Sequence, residues 1–140
     1  MFNPTRDQSR DFLFEVWAKH LARTPLTPLE SLALSIVLEH PEYHPVLGDR
    51  ERYRDREWRP EGGEANPFLH LAMHLAIEEQ LSIDQPPGIV ARFERLVARH
   101  GGRHEALHKV LECLAETVWR AQRNRAAPDA DAYLECLDRR

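Results

Sequence analysis

Helix-start signals recur along this chain, and no stretch of it alternates in the two-residue period of a strand with hairpin turns between. Asn3-Pro4 opens the first run, with proline where a missing N–H costs nothing, and Phe12, Leu13, Val16, Trp17 and Leu21 follow at helical spacing. Thr27-Pro28-Leu29-Glu30 is a capping box ahead of Leu29, Leu32, Ala33, Ile36 and Val37. Pro41 and Pro45 flank a turn, Glu42-Tyr43-His44, that Gly48 closes. Asn66-Pro67 opens the most apolar helix, Phe68 to about Leu81, which is apolar nearly all round and therefore expected to be central. The turn Asp84-Gln85-Pro86-Pro87-Gly88 follows. Next come a helix from Ile89 to Arg99 stopped at Gly101-Gly102, the longest helix from about Arg103 to Arg123, and a last one opened by Pro128-Asp129. The prediction is all-α, a single-domain helical bundle of about six helices over residues 1–140. Residues 49–65, with charges of alternating sign, read as a surface loop holding at most one helical turn and pinned by Trp58.

A chain of 140 residues is one domain by length and long enough to bury a core without staples. Cys113 and Cys136 sit in matching helical contexts, Leu-Glu-Cys-Leu, and read as two small thiols in core positions, not as a disulfide. A formal net charge of −4 argues against a nucleic-acid surface. No apolar run is long enough to span a bilayer and the N-terminus carries no signal core, so the expected compartment is the cytoplasm.

The chemistry-bearing pattern is a duplicated stripe. His70-x3-His74-x3-Glu78 lies in the apolar helix and His104-x3-His108-x3-Glu112 in the longest one. Residues four apart share a helix face, so each triplet aligns two imidazoles and a carboxylate. Neutral imidazole and carboxylate are ligands for zinc, iron and manganese. Eight histidines scattered at random should give about 0.4 pairs at this spacing, and the chain has four. Pro41 and Pro45 spoil helical geometry for His40/His44, and Gly101-Gly102 spoil it for His100/His104. The two surviving pairs are those that continue into glutamate. His70, His74 and Glu78 lie between Ile77 and Leu81 on one side and Leu71 and Leu75 on the other, while His104, His108 and Glu112 lie beside Leu111, Ala115 and Trp119. Both stripes thus border apolar surface, where a carboxylate needs a partner or a metal. The expectation is a His/Glu metal site with the two stripes facing each other.

His104-Glu105-Ala106-Leu107-His108 also matches H-E-x-x-H, in which the glutamate activates a zinc-bound water. The other stripe has Leu71 at that position, and Glu105 points about 60° from His108 toward Lys109 and Glu116. A zinc hydrolase is accordingly the lesser alternative. His74-x3-Glu78 followed by His104-x3-His108 is similar to two middle motifs of the hemerythrins. The closing H-x4-D of that family has no counterpart after His108, where Glu112 and Glu116 stand, and His44-x4-Asp49 lies too early.

Over almost the whole chain the sequence resembles a proteobacterial family labelled domain of unknown function 1841. Met1-Phe2-Asn3-Pro4, Asn66-Pro67-Phe68-Leu69-His70-Leu71, Glu78-Glu79-Gln80-Leu81-Ser82-Ile83-Asp84-Gln85-Pro86-Pro87-Gly88 and Glu112-Cys113-Leu114 carry the resemblance. It implies a small cytoplasmic helical protein and supplies no activity, cofactor or catalytic residue.

The rival reading is a metal-free protein–protein interaction module that presents the Gln80–Gly88 turn and the 49–65 loop to an unknown protein partner. There is no Gly-rich phosphate loop, no G-x-S-x-G and no C-x-x-C. Trp17, Trp58 and Trp119 read as core or boundary residues, and Arg120, Arg123 and Arg125 suit the dipole at a helix end.

Overall fold

A computed structural model describes residues 5–59 and 65–140. Among the described residues there is no strand, and the helices are α1 (Arg6–Leu21), α2 (Pro28–Leu38), α3 (His44–Leu47), α4 (Arg50–Tyr53), α5 (Pro67–Ile83), α6 (Ile89–His100), α7 (Arg103–Asn124) and α8 (Ala130–Arg139). A 3-10 turn, Pro41–Tyr43, precedes α3. Six of these helices are ten residues or longer, as the sequence predicts, and the described residues of the 49–65 segment contribute the single turn α4, with 60–64 lying outside the described residues.

The starts follow from local chemistry. The Thr27 hydroxyl accepts from the Glu30 N–H at 3.2 Å and the Glu30 carboxylate accepts from the Thr27 N–H at 2.8 Å, so two donors that a helix start leaves unpaired are satisfied reciprocally. Thr5 and Gln8 make a second such box at α1. Asn3 and Pro4, read as the opening of that helix, lie outside the described residues. Asn66 caps α5, its side-chain oxygen accepting from Phe68 N–H at 3.0 Å and Leu69 N–H at 3.2 Å. Gly101 ends α6 at φ 84°, in the left-handed region where a side chain is strained.

Packing divides the chain into two compact units, Met1–Leu75 and Ala76–Arg140. In the first, Leu13, Phe14, Ile36, Val37, Leu47, Phe68, Leu71 and Leu75 form the core, with Trp17 and Trp58 packed against it. Arg10 is 3% exposed, yet its guanidinium is satisfied. It donates to the carbonyls of Tyr53, Arg54 and Arg56 at 3.4, 2.8 and 2.7 Å, and lies over the rings of Trp58 and Phe68 at 5.3 and 4.8 Å. This contact ties the charged segment after α4 to α1, and Trp58 pins it as expected. Asp11 adds a bidentate pair with Arg54, which holds the Asp11 carboxyl below its ordinary range.

In the second unit, α6, α7 and α8 bury Ile89, Phe93, Leu96, Ala106, Leu107, Val110, Tyr133 and Leu137 with Ile77 of α5. The Tyr133 hydroxyl donates to Gln80 at 2.7 Å, and burial raises the phenol above its ordinary range. Cys113 and Cys136 are joined by a disulfide between α7 and α8. This corrects the expectation of two free thiols. Similar helical contexts place each cysteine on a buried face, but only the packing of α7 on α8 brings two such faces to 5.8 Å between Cα atoms, within bonding reach.

Helix α5 has more than one apolar face because it serves two cores. Phe68, Leu71 and Leu75 enter the first, and Ile77 and Leu81 the second. The pattern is not fully buried, since Leu69 remains 58% exposed.

Candidate metal centre

The first unit gathers three imidazoles around the end of α2 and the start of α5. His40 and His74 are buried and His70 is half-buried. His70 Nε2 lies 3.2 Å from His40 Nε2 and 3.1 Å from His74 Nε2. Each ring offers a nitrogen within 4.8 Å of those of the others. Ring centroids are 5.0 Å apart for His40 and His70, 4.8 Å for His40 and His74, and 4.8 Å for His70 and His74.

The pair on α5 follows from helical spacing, since i and i+4 share a face. His40 arrives by a different route. It follows the last turn of α2 and precedes Pro41, whose ring disfavours the α conformation for the residue before it. At φ −125° and ψ 64°, His40 leaves the helix, and its side chain folds back so that Nδ1–H donates to the Ile36 carbonyl at 2.7 Å. That carbonyl belongs to the terminal turn of α2, where helices leave acceptors open. The bond fixes the tautomer, because a carbonyl only accepts. In the neutral ring, Nε2 of His40 then carries a lone pair directed at the other two histidines. Tyr43 stacks on the His40 ring at 5.6 Å with the planes 2° apart, and burial raises its phenol above the usual range, keeping it protonated.

Hydrogen-bond accounting shows what this arrangement asks for. An imidazole nitrogen has one in-plane position, holding either a hydrogen or a lone pair. Nε2 of His70 therefore cannot donate to His40 and accept from His74 at once. Among neutral rings the two short N···N contacts can both be hydrogen bonds only if one N–H of His70 is shared, bent, between two acceptors. A cation that accepts lone pairs from all three nitrogens removes that competition. Ligands placed tetrahedrally about 2.0–2.1 Å from one ion stand about 3.3–3.4 Å apart, close to the spacings found here.

The other sequence-predicted residues are placed as follows. Glu78 accepts from Arg103 at 2.7 Å, and Arg103 lies over the Phe93 ring. Glu112 is exposed and paired with Arg140 at 2.9 Å and Lys109 at 4.0 Å. His104 is exposed, with its ring 4.3 Å from that of His108, and Glu105 is exposed as well. His108 is half-buried, and its Nε2 is shielded from water. The apolar border expected for the second stripe is only partial. The buried face of α7 runs through Ala106, Leu107, Val110, Cys113, Thr117 and Ala121, whereas Ala115 is exposed and Trp119 is 56% exposed. The stripe sits at the edge of that face, so His108 is partly covered and His104 and Glu112 are not.

His40 was missed by the stripe pattern because Pro41 breaks the helical register on which that pattern depends. The available signal was its membership of a His-x3-His pair with His44. The partner of that pair does something else. His44 Nε2 donates to the Val37 carbonyl at 2.9 Å and its ring stacks on Trp17 at 4.3 Å, so it caps α2. Residues of the Gln80–Gly88 turn also make internal bonds. The Asp84 carboxylate accepts from the Gly88 and Val90 N–H groups at 3.2 and 3.1 Å and thereby caps α6.

These features define an all-helical protein with a histidine cluster of metal-ligand spacing. Residues 5–139 match the family model described as domain of unknown function (DUF1841), and the chain belongs to that family. No curated protein and no solved structure matches it. No helix among the described residues is long and apolar enough to cross a membrane.

Proposed function

We propose that this protein binds one divalent transition metal through the Nε2 atoms of His40, His70 and His74. The observation that carries the reading is that His70 Nε2 lies 3.2 Å from His40 Nε2 and 3.1 Å from His74 Nε2, spacings suited to ligands of one ion. The Nδ1–H bond of His40 to a carbonyl supports it, being the outer contact that orients metal-binding histidines and raises their basicity. Glu78 and Glu112 serve their arginine partners in this reading. An all-imidazole set favours zinc or iron over manganese, which prefers oxygen ligands. Three protein ligands leave one tetrahedral position open to water or a further donor.

The test is metal analysis after equilibration with zinc, iron(II) or manganese and removal of excess. The expected result is one ion per chain, zinc or iron over manganese, lost in His40→Ala and His74→Ala and retained in Glu112→Gln. A wild type that binds none of the three, or retention of the ion in His40→Ala and His74→Ala, overturns the reading.

A further inference from the structure

The second unit contains a cavity of about 490 Å³ between α7 and α8, and one end of the disulfide opens into it. Cys136 is among the lining residues, whereas Cys113 is fully buried and is not. The charged groups on the wall are Glu116, Arg120, Asp129 and Arg139. Arg120 pairs with Glu116 at 2.8 Å, which offsets the carboxylate that sits 3.8 Å from Cys136 Sγ. The volume falls in the range of small-molecule sites.

We propose that this cavity admits a low-molecular-weight thiol bearing carboxylate and ammonium groups, and that the Cys113–Cys136 disulfide exchanges with it at Cys136. Two arginines offer charge-assisted donors to carboxylates, and Asp129 offers an acceptor to an ammonium. Access decides which sulfur is attacked, and only Cys136 faces the cavity. The thiolate sulfur bonds to Cys136 Sγ, the Cys113–Cys136 bond breaks, and Cys113 leaves as a thiolate that takes a proton from water. One disulfide replaces another, with no net oxidation. A second thiolate then attacks the small-molecule sulfur of the mixed disulfide. This releases Cys136 as a thiolate and completes a two-electron reduction of the protein disulfide, with two small thiols oxidised to their own disulfide. The cavity thus makes the covalent link between α7 and α8 responsive to the surrounding thiol pool.

The oxidised full-length chain would be incubated with reduced glutathione, quenched with acid, and analysed by peptide mass mapping, with circular dichroism followed in parallel. A mixed disulfide confined to Cys136, formed while helicity is intact, is the expected product. Glutathione should react about tenfold faster than 2-mercaptoethanol at equal thiolate concentration, reflecting a charge-assisted contact, and Arg120→Gln/Arg139→Gln should bring the two rates together. Adducts at Cys113, adducts that form only as helicity is lost, or equal rates for the two thiols in the wild type each overturn the proposal. As a second measurement, Cys113→Ser leaves Cys136 as the sole thiol, and glutathione disulfide should label it. A folded Cys113→Ser that resists labelling also refutes the site. If that variant does not fold, the wild-type mapping decides the matter alone.

Discussion

Replacing His74 with alanine separates a metal site from a packed histidine, because the two roles leave different signatures. His74 is 1% exposed and lies within hydrogen-bond distance of His70. Truncation therefore costs packing with or without metal, about 2–4 kcal/mol by analogy with other large-to-small core changes. The informative quantity is the increment that metal adds. At a free metal concentration about 100 times Kd, binding stabilises the folded chain by about 2.7 kcal/mol. If the loss of one ligand raises Kd about 100-fold, the same concentration contributes only about 0.4 kcal/mol. The difference of about 2.3 kcal/mol corresponds to about 7–12 °C for a chain of 140 residues. Thermal melts would be recorded for wild type, His74→Ala and His44→Ala, each with zinc and with chelator. The wild type should show the full increment and His74→Ala almost none. His44→Ala, which loses the α2 cap and the Trp17 stack, should melt lower in both conditions with its increment preserved. An undiminished increment in His74→Ala, or no increment in the wild type, would refute the ligand assignment.

Arg10→Met should destabilise the chain by about 2–3 kcal/mol, because three carbonyls lose a charged donor, and limited proteolysis should then cut more readily near residues 54–59. Replacing both Cys113 and Cys136 with alanine should lower stability by about 3 kcal/mol in denaturant titration, the entropy of a cross-link over a sequence separation of 23. The hydrogen bond from Lys19, followed by those from Thr27, holds the Glu30 carboxyl below its ordinary range. A depressed carboxylate pKa contributes stability that is fully present above the unfolded value and is lost as pH falls through the folded one. Urea unfolding should therefore show a smaller drop from pH 6 to pH 3 in Glu30→Gln than in wild type, and an equal drop would contradict the pairing.

What the sequence alone determined is what local bonding and periodicity control. Thr27 and Glu30 stand three residues apart and satisfy each other wherever α2 is placed, so their capping box was legible directly. His70 and His74 share a face because both lie on one helix. The same logic read six long helices from Asn66, Gly101 and Asp129 at their ends. Only the tertiary structure decided which partners those faces meet. His40 reaches His70 across 30 positions of sequence, through a pre-proline bend that no helical period describes. Glu78 meets Arg103 and Glu112 meets Arg140, where the stripe pattern had offered both carboxylates to a metal. Two cysteines in similar contexts become a disulfide because α7 packs on α8. Each outcome depends on the three-dimensional path between distant residues, and a linear spacing rule carries information only along the element that keeps its period.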